Sequence, residues 1–250
     1  MKAFVAGLLF VIASVASAND ACTSIHPGGQ VPVLTNQKLA PKTRYLCFDD
    51  FAVLHSGITH TPLWSAEHLT RDSLANAKGL TRTNRFYEEP SLPAGEGATL
   101  ADYRHAPDVD RGHLSPAGDR KDEQAMSSSF TLANIVPQES SLNRHLWAKI
   151  ESSVRYLAKK SGEAYVVTGP LFIGKQLQTI GANRVFVPTQ IYKVVYLPSQ
   201  QLSFAVVVDN VDTDTYSVKT VHELEAMSGI SFPGIPESVK DKTIGGLKGV

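Results

Sequence analysis

Val109-Asp110-Arg111-Gly112-His113-Leu114-Ser115-Pro116-Ala117-Gly118-Asp119 is the stretch on which the fold of this chain turns. A short extended run delivers an imidazole beside a guanidinium, a glycine and two carboxylates. An imidazole on a loop after a strand is a natural general base, because its pKa lies near neutrality. Gly112 removes a side chain next to it and would let a bulky substrate approach the backbone. By themselves these residues describe a capped turn or a solvated ion pair equally well. Asp110 in particular reads as structural, fixing Arg111 or the turn. What lies on either side decides.

Downstream, Ser140-Ser141-Leu142-Asn143 can cap a helix that runs to about Lys160, with Gly162 as its stop. Leu146, Trp147, Ile150, Val154, Leu157 and Ala158 recur at helical spacing and define one buried face. Asn143, Trp147, Glu151 and Arg155 are each four apart and drift slowly around the helix. Asn143 and Glu151 therefore point into one space, beside the face that Trp147 buries. Residues 119–125 are densely charged and read as exposed, whereas 127–137 alternate enough for a strand or a buried connection.

Upstream, residues 44–48 and 51–55 read as a hairpin turning at Asp49-Asp50, and 61–69 as another strand. Residues 82–97, broken by Pro90 and Pro93, form a long loop of the kind that is often functional. Core strands are expected at 164–169, 184–188, 191–197 and 202–209, then a short helix over 217–227. This is an α+β pattern: a single domain with a central, largely antiparallel sheet flanked by helices.

The ends set the compartment. Lys2, the apolar stretch 3–15 and Ala16-Ser17-Ala18 have the layout of an export signal, residues 1–18, which puts the mature start at Asn19 in a periplasm or outside the cell. A turn-rich, irregular arm (19–44) follows, and residues 236–250 read as a loosely held tail. No other apolar run approaches the roughly 18 residues of a membrane span, so none is expected in the mature chain. Removing residues 1–18 takes one lysine and no acid, leaving a formal charge of −1. Bulk attraction to polyanions is thereby excluded, and any nucleic-acid contact must come from a local cluster of arginines and lysines. Cys22 and Cys47 are the only cysteines, and an even pair in an oxidising compartment points to one disulfide. His26, His55, His60, His68, His105, His145 and His222 show no spaced ligand pattern.

Asp110-Arg111-Gly112-His113, the run Asn134-Ile135-Val136-Pro137-Gln138, Leu142-Asn143, and Trp147 followed four later by Glu151 resemble the DNA/RNA non-specific endonucleases of the ββα-metal (His-Me finger) superfamily. Arg82-Thr83-Asn84-Arg85-Phe86 followed by Glu89-Pro90 resembles the family's Arg-x-x-x-Phe-x-x-Asp-Pro segment, with Glu89 in place of the usual aspartate. Later strands and a C-terminal helix extend the likeness over residues 45–235. The resemblance implies a ββα finger and a division of labour within it. His113 would take a proton from the attacking water. Asn143 would be the sole direct protein ligand of one hydrated Mg2+, with Mn2+ the expected substitute. Glu151 would hold that ion through a water. Arg82 would steady charge in the transition state, with Arg85 in reserve if the loop register differs. Asn134 would support the geometry around His113, and Arg111 and Arg155 would bind phosphate or orient carboxylates. The implied substrates are DNA and RNA, since chemistry at phosphate needs neither base nor ribose hydroxyl. No protein partner or oligomeric state is implied. A non-catalytic binding module, or a phosphodiesterase acting on a small nucleotide, would keep the same fold.

Overall fold

The computed structural model describes residues 20–250; the export signal and the mature start at Asn19 expected from the sequence lie outside them. In chain order the strands are β1 (Val33–Leu34), β2 (Thr43–Cys47), β3 (Phe51–Ser56), β4 (Thr61–Thr70), β5 (Val109–His113), β6 (Ile135–Glu139), β7 (Glu163–Leu171), β8 (Thr179–Ile180), β9 (Val185–Phe186), β10 (Gln190–Leu197), β11 (Leu202–Asp209), β12 (Ser217–Lys219) and β13 (Ile230–Ser231). The helices are α1 (Arg71–Asn76), α2 (Glu123–Ser129), α3 (Ser140–Leu142), α4 (Ala148–Ser161), α5 (Val221–Ser228) and α6 (Glu237–Lys240), with a π-helical turn, Asn143–Trp147, joining α3 to α4.

Seven strands form one antiparallel sheet in the order β12-β11-β10-β7-β4-β3-β2. Alternation sends successive side chains to opposite faces. On β10, Tyr192, Val194 and Tyr196 enter one core, while Ile191, Val195 and Leu197 enter another. The first core is closed by the N-terminal arm, α5 and the segment Ile230–Val239; the second is closed by the long helix through Leu146, Trp147, Ile150, Val154 and Ala158. Each aliphatic side chain so buried contributes roughly 1.5–3 kcal/mol. β5 and β6 pair only with each other and form the ribbon of the finger, which the long helix completes.

Several local expectations give way to tertiary structure. The arm is no irregular appendage: Cys22, Ile25 and His26 are buried, β1 pairs with β13, and Cys22 is bonded to Cys47 across a Cα–Cα distance of 5.9 Å. Closing a loop across a separation of 25 residues is worth about 3.5 kcal/mol. Residues 119–125 are not simply exposed, since Asp119 and Arg120 are buried. The stretch 127–137 is the end of α2, a 3-10 turn over Leu132–Asn134 and the start of β6. β9 pairs with β8, outside the central sheet. The segment 217–227 starts as β12, an edge strand, and becomes helix only after the Thr220 capping box. The tail is anchored by buried Val239, Lys240 and Leu247.

Candidate active site

β5 ends at His113, opposite Ile135 of β6. The reason for Gly112 is packing: an added Cβ would collide with the Gln138 side chain from β6, itself 1 % exposed. That space belongs to Gln138 and not to a substrate. Beyond the histidine, Asn134 fixes the chain. Its Oδ1 accepts from Ser115 N at 3.0 Å, and its Nδ2 donates to the carbonyls of Ser115 (2.9 Å) and Ser129 (3.0 Å). Fully buried and fully engaged, Asn134 stands behind the site and does not face it.

His113 is clasped between Phe86 and Phe130, with ring centroids 5.3 and 5.0 Å away. Its Nε2 is buried and has no hydrogen-bond partner among the described residues. Burial, then the charges of Arg82, Arg120 and Arg111, push its pKa down to about 3. The imidazole is therefore neutral across the ordinary pH range, and a weaker base than the near-neutral value expected from the sequence.

The opposite wall is the long helix. Its cap is the Glu139 carboxylate, which accepts from Ser141 N at 2.9 Å and Leu142 N at 2.6 Å, so Asn143 is freed from the capping role and sits inside the helix with φ −56° and ψ −43°. Asn143 opens the π turn, a widening often found where a helix presents functional groups. Its Nδ2 donates to Asp110 Oδ2 at 2.9 Å, which orients the amide and leaves Oδ1 without a protein donor among the described residues. Asp110 thus fixes Asn143 and not Arg111. Arg144 grips the same carboxylate through Nε (2.8 Å) and Nη2 (2.6 Å), and Ser140 adds a third donor. Burial pushes the Asp110 carboxyl up, but these donors outweigh it and hold the pKa below the usual range.

A cleft of about 450 Å³ brings Arg82, Asn84, Asp110, His113, Asn143, Arg144 and Glu151 onto one surface. Glu151 is partly buried, and burial raises its pKa to about 7 against the pull of Lys193. A carboxylate in that state gains from any cation brought near it. Arg82 reaches the cleft from the loop; its Nε donates to Asn84 Oδ1 at 2.6 Å, and its guanidinium lies 5.2 Å from the Phe130 ring centroid. The remaining arginines are not in this cleft. Arg155 donates to Asp119 Oδ1 at 2.8 Å and so orients a carboxylate, while Arg85 and Arg111 line a neighbouring cavity. Arg144 and Asn84 escaped the sequence reading, although Arg144 adjoins Asn143 and Asn84 lies within the Arg82–Phe86 motif. Exposed His145 bonds the Ser141 carbonyl at 3.0 Å and stays outside the cleft.

Under the cleft, the sheet face carries buried polar groups. Arg120, 1 % exposed, pairs with Glu67 of β4 and donates to the carbonyls of Pro116 (3.2 Å) and Asp50 (3.0 Å). Lys193 donates to Thr168 Oγ1 at 2.6 Å and lies 5.3 Å from the Trp147 ring centroid. The Arg120 ties fasten the loop after His113 to the central sheet, and Lys193 links the sheet to the helix.

A two-stranded ribbon and a crossing helix, presenting a neutral imidazole against an amide oxygen and a carboxylate, define a nuclease of the ββα-metal class. The family profile described as DNA/RNA non-specific endonuclease matches residues 32–235, and the chain belongs to that family of metal-dependent hydrolases. It is 39 % identical over 189 residues to Nuclease C1 of Cunninghamella echinulata var. echinulata, covering 68 % of this chain and 74 % of that relative. With the mitochondrial Endonuclease G of Caenorhabditis elegans it shares 33 % identity over 197 residues, covering 70 % of this chain and 64 % of the other. A solved chain from the EndoG/EndoGI complex superimposes with a TM-score of 0.72 at 28 % identity, covering 78 % of this chain and 87 % of that one. Among the described residues no helix is long and apolar enough to cross a membrane.

Proposed function

We propose that the protein is an exported endonuclease that hydrolyses phosphodiester bonds of DNA and RNA with little regard to base or sugar. The observation that carries this reading is the meeting, in one cleft, of His113 from the ribbon, Asn143 and Glu151 from the helix and Arg82 from the loop. His113, neutral at working pH, accepts the proton of the attacking water. Arg82 offers a guanidinium to the phosphate oxygens as charge builds on them. Asp110 keeps the Asn143 amide turned so that its oxygen is available.

The donor set suits a hard, hydrated cation: a neutral amide oxygen left free beside a carboxylate that burial has made reluctant to ionise. Asn143 would hold Mg2+ directly and Glu151 one water further out, with Mn2+ as a substitute. Once bound, the ion supplies positive charge to the phosphate and the departing oxygen. Asn134 acts from behind, by fixing the chain after His113.

Export is supported by the Cys22–Cys47 bond, since disulfides persist in oxidising compartments. It is also supported by the leader's composition, one lysine and an apolar run with no arginine, unlike the arginine-rich leaders of mitochondrial import. The deciding experiment is a gel assay of purified protein on circular plasmid and on RNA. With magnesium both polymers are degraded; with chelator neither is. Binding without cleavage in magnesium would overturn the proposal.

A further inference from the structure

Asn84 and Asp110 form a shared wall between the catalytic cleft and a second, larger cavity of about 650 Å³. Arg85, Arg104 and Arg111 all line it. Among the described residues none of the three holds a carboxylate, whereas Arg120, Arg144 and Arg155 each do. Asp110 also borders the cavity, but its oxygens are taken by Asn143, Arg144 and Ser140. The Arg111 guanidinium carbon lies over Phe86, 4.2 Å from the ring centroid, which holds the charge beside the cavity.

A second feature is independent of the arginines. Tyr103 lines the same cavity at 8 % exposure, and its hydroxyl is buried with no partner among the described residues. Buried hydroxyls are nearly always paired, so an orphan one at a cavity wall marks a place for a ligand atom. The loop that carries Tyr103 and Arg104 is already built. Asp102 accepts from Thr99 N at 2.7 Å, from Asn183 N at 3.0 Å and from Asn183 Nδ2 at 2.9 Å.

We infer that this cavity is a second nucleotide subsite, which takes the phosphate next to the scissile one on the same strand. Arg85, Arg104 and Arg111 receive the anionic oxygens, and the Tyr103 hydroxyl completes the contact. The inference rests on the nuclease reading of the neighbouring cleft and adds to it a requirement for a substrate longer than a single diester.

Arg104→Ala and Tyr103→Phe test it on two substrates, an octadeoxynucleotide and bis(p-nitrophenyl) phosphate, which carries one phosphate only. On the octanucleotide, Arg104→Ala is expected to lower kcat/KM about tenfold and Tyr103→Phe about threefold, chiefly through KM. On the small diester both variants stay within about twofold of wild type, because the subsite is empty. The dependence of log KM on log salt should flatten by about 0.7 for Arg104→Ala, one phosphate contact on a single strand. Equal losses on both substrates would indicate a merely structural role and overturn the subsite, as would no loss on either. Should the wild type cleave neither in magnesium, the nuclease reading fails by itself. Octanucleotide anisotropy then decides the cavity: tenfold weaker binding by Arg104→Ala sustains it, and unchanged affinity removes it.

Discussion

Both faces of the seven-stranded sheet bury an apolar core, but they differ in the charge buried beside it. The face under the arm is apolar across Ala66, Val167, Tyr192 and Val194, and it is stapled by a disulfide. The face under the finger carries buried charge: Glu67 with Arg120, Lys193 on Thr168, and Asp119 with Arg155 above them. Apolar burial stabilises wherever it occurs, whereas each buried charge must be matched by a partner. Within the central sheet the fully buried charges, Glu67 and Lys193, lie on the side where a histidine, an amide and an acid must be held in place.

The contrast breaks most sharply at His113. His113→Ala is expected to lower turnover of plasmid by about 10²–10⁴-fold while the thermal midpoint stays near wild type. A rate within tenfold of wild type would separate the imidazole from the chemistry. Next is the ion pair beneath the loop. Arg120→Met takes the partner from Glu67, whose carboxyl burial already pushes up to about 7, so the acid must take up a proton; the change should cost about 3–5 kcal/mol in urea denaturation at neutral pH. The Glu67→Leu/Arg120→Met double variant should cost less than that single one. A single-variant loss under about 1 kcal/mol would show that water reaches the pair.

The smallest effect is a difference in sign. Burial lowers the pKa of His26, on the arm side, to about 4. Its neutral form is favoured in the fold, so its contribution is complete above the unfolded value of about 6.5 and is lost as pH falls toward 4. Glu151, on the cleft side, is raised to about 7; its contribution is present at low pH and is lost as pH rises from about 4.5 through 7. In metal-free protein, His26→Gln should remove up to about 1.4 kcal/mol per pH unit of rising stability between 4 and 6.5. Glu151→Gln should remove a falling slope between 4.5 and 7. Urea midpoints at pH 4.5, 5.5 and 6.5 measure both, and slopes of the same sign would refute the assignment.

Strands whose two faces both meet apolar cores were legible because β-branched and aromatic residues run through them, as in β7, β10 and β11. The long helix was legible from its apolar stripe. What escaped depends on distant partners. Arg120 sits in a charged run that looks solvated until Glu67, 53 residues earlier, is brought beneath it. β12 reads as helix because its pairing with β11 cannot be inferred locally. At the site, the motif pointed to His113, Asn143, Glu151 and Arg82, all of which line one cleft. Tyr103 and Arg104 belong to no motif and matter only through the cavity they border.

The π turn at Asn143–Trp147 has a consequence for how the helix can vary. Each residue of an α-helix advances the azimuth by about 100°, and the wide turn absorbs one residue beyond the regular count. In regular winding the eight residues from Asn143 to Glu151 would set the two groups about 80° apart around the axis; with one residue absorbed by the wide turn they lie only about 20° from in line. Removing the absorbed residue would leave that alignment in place, whereas inserting one elsewhere between the two groups would carry the amide away from the carboxylate. The separation of these two groups along the chain is therefore a matter of phase as well as length.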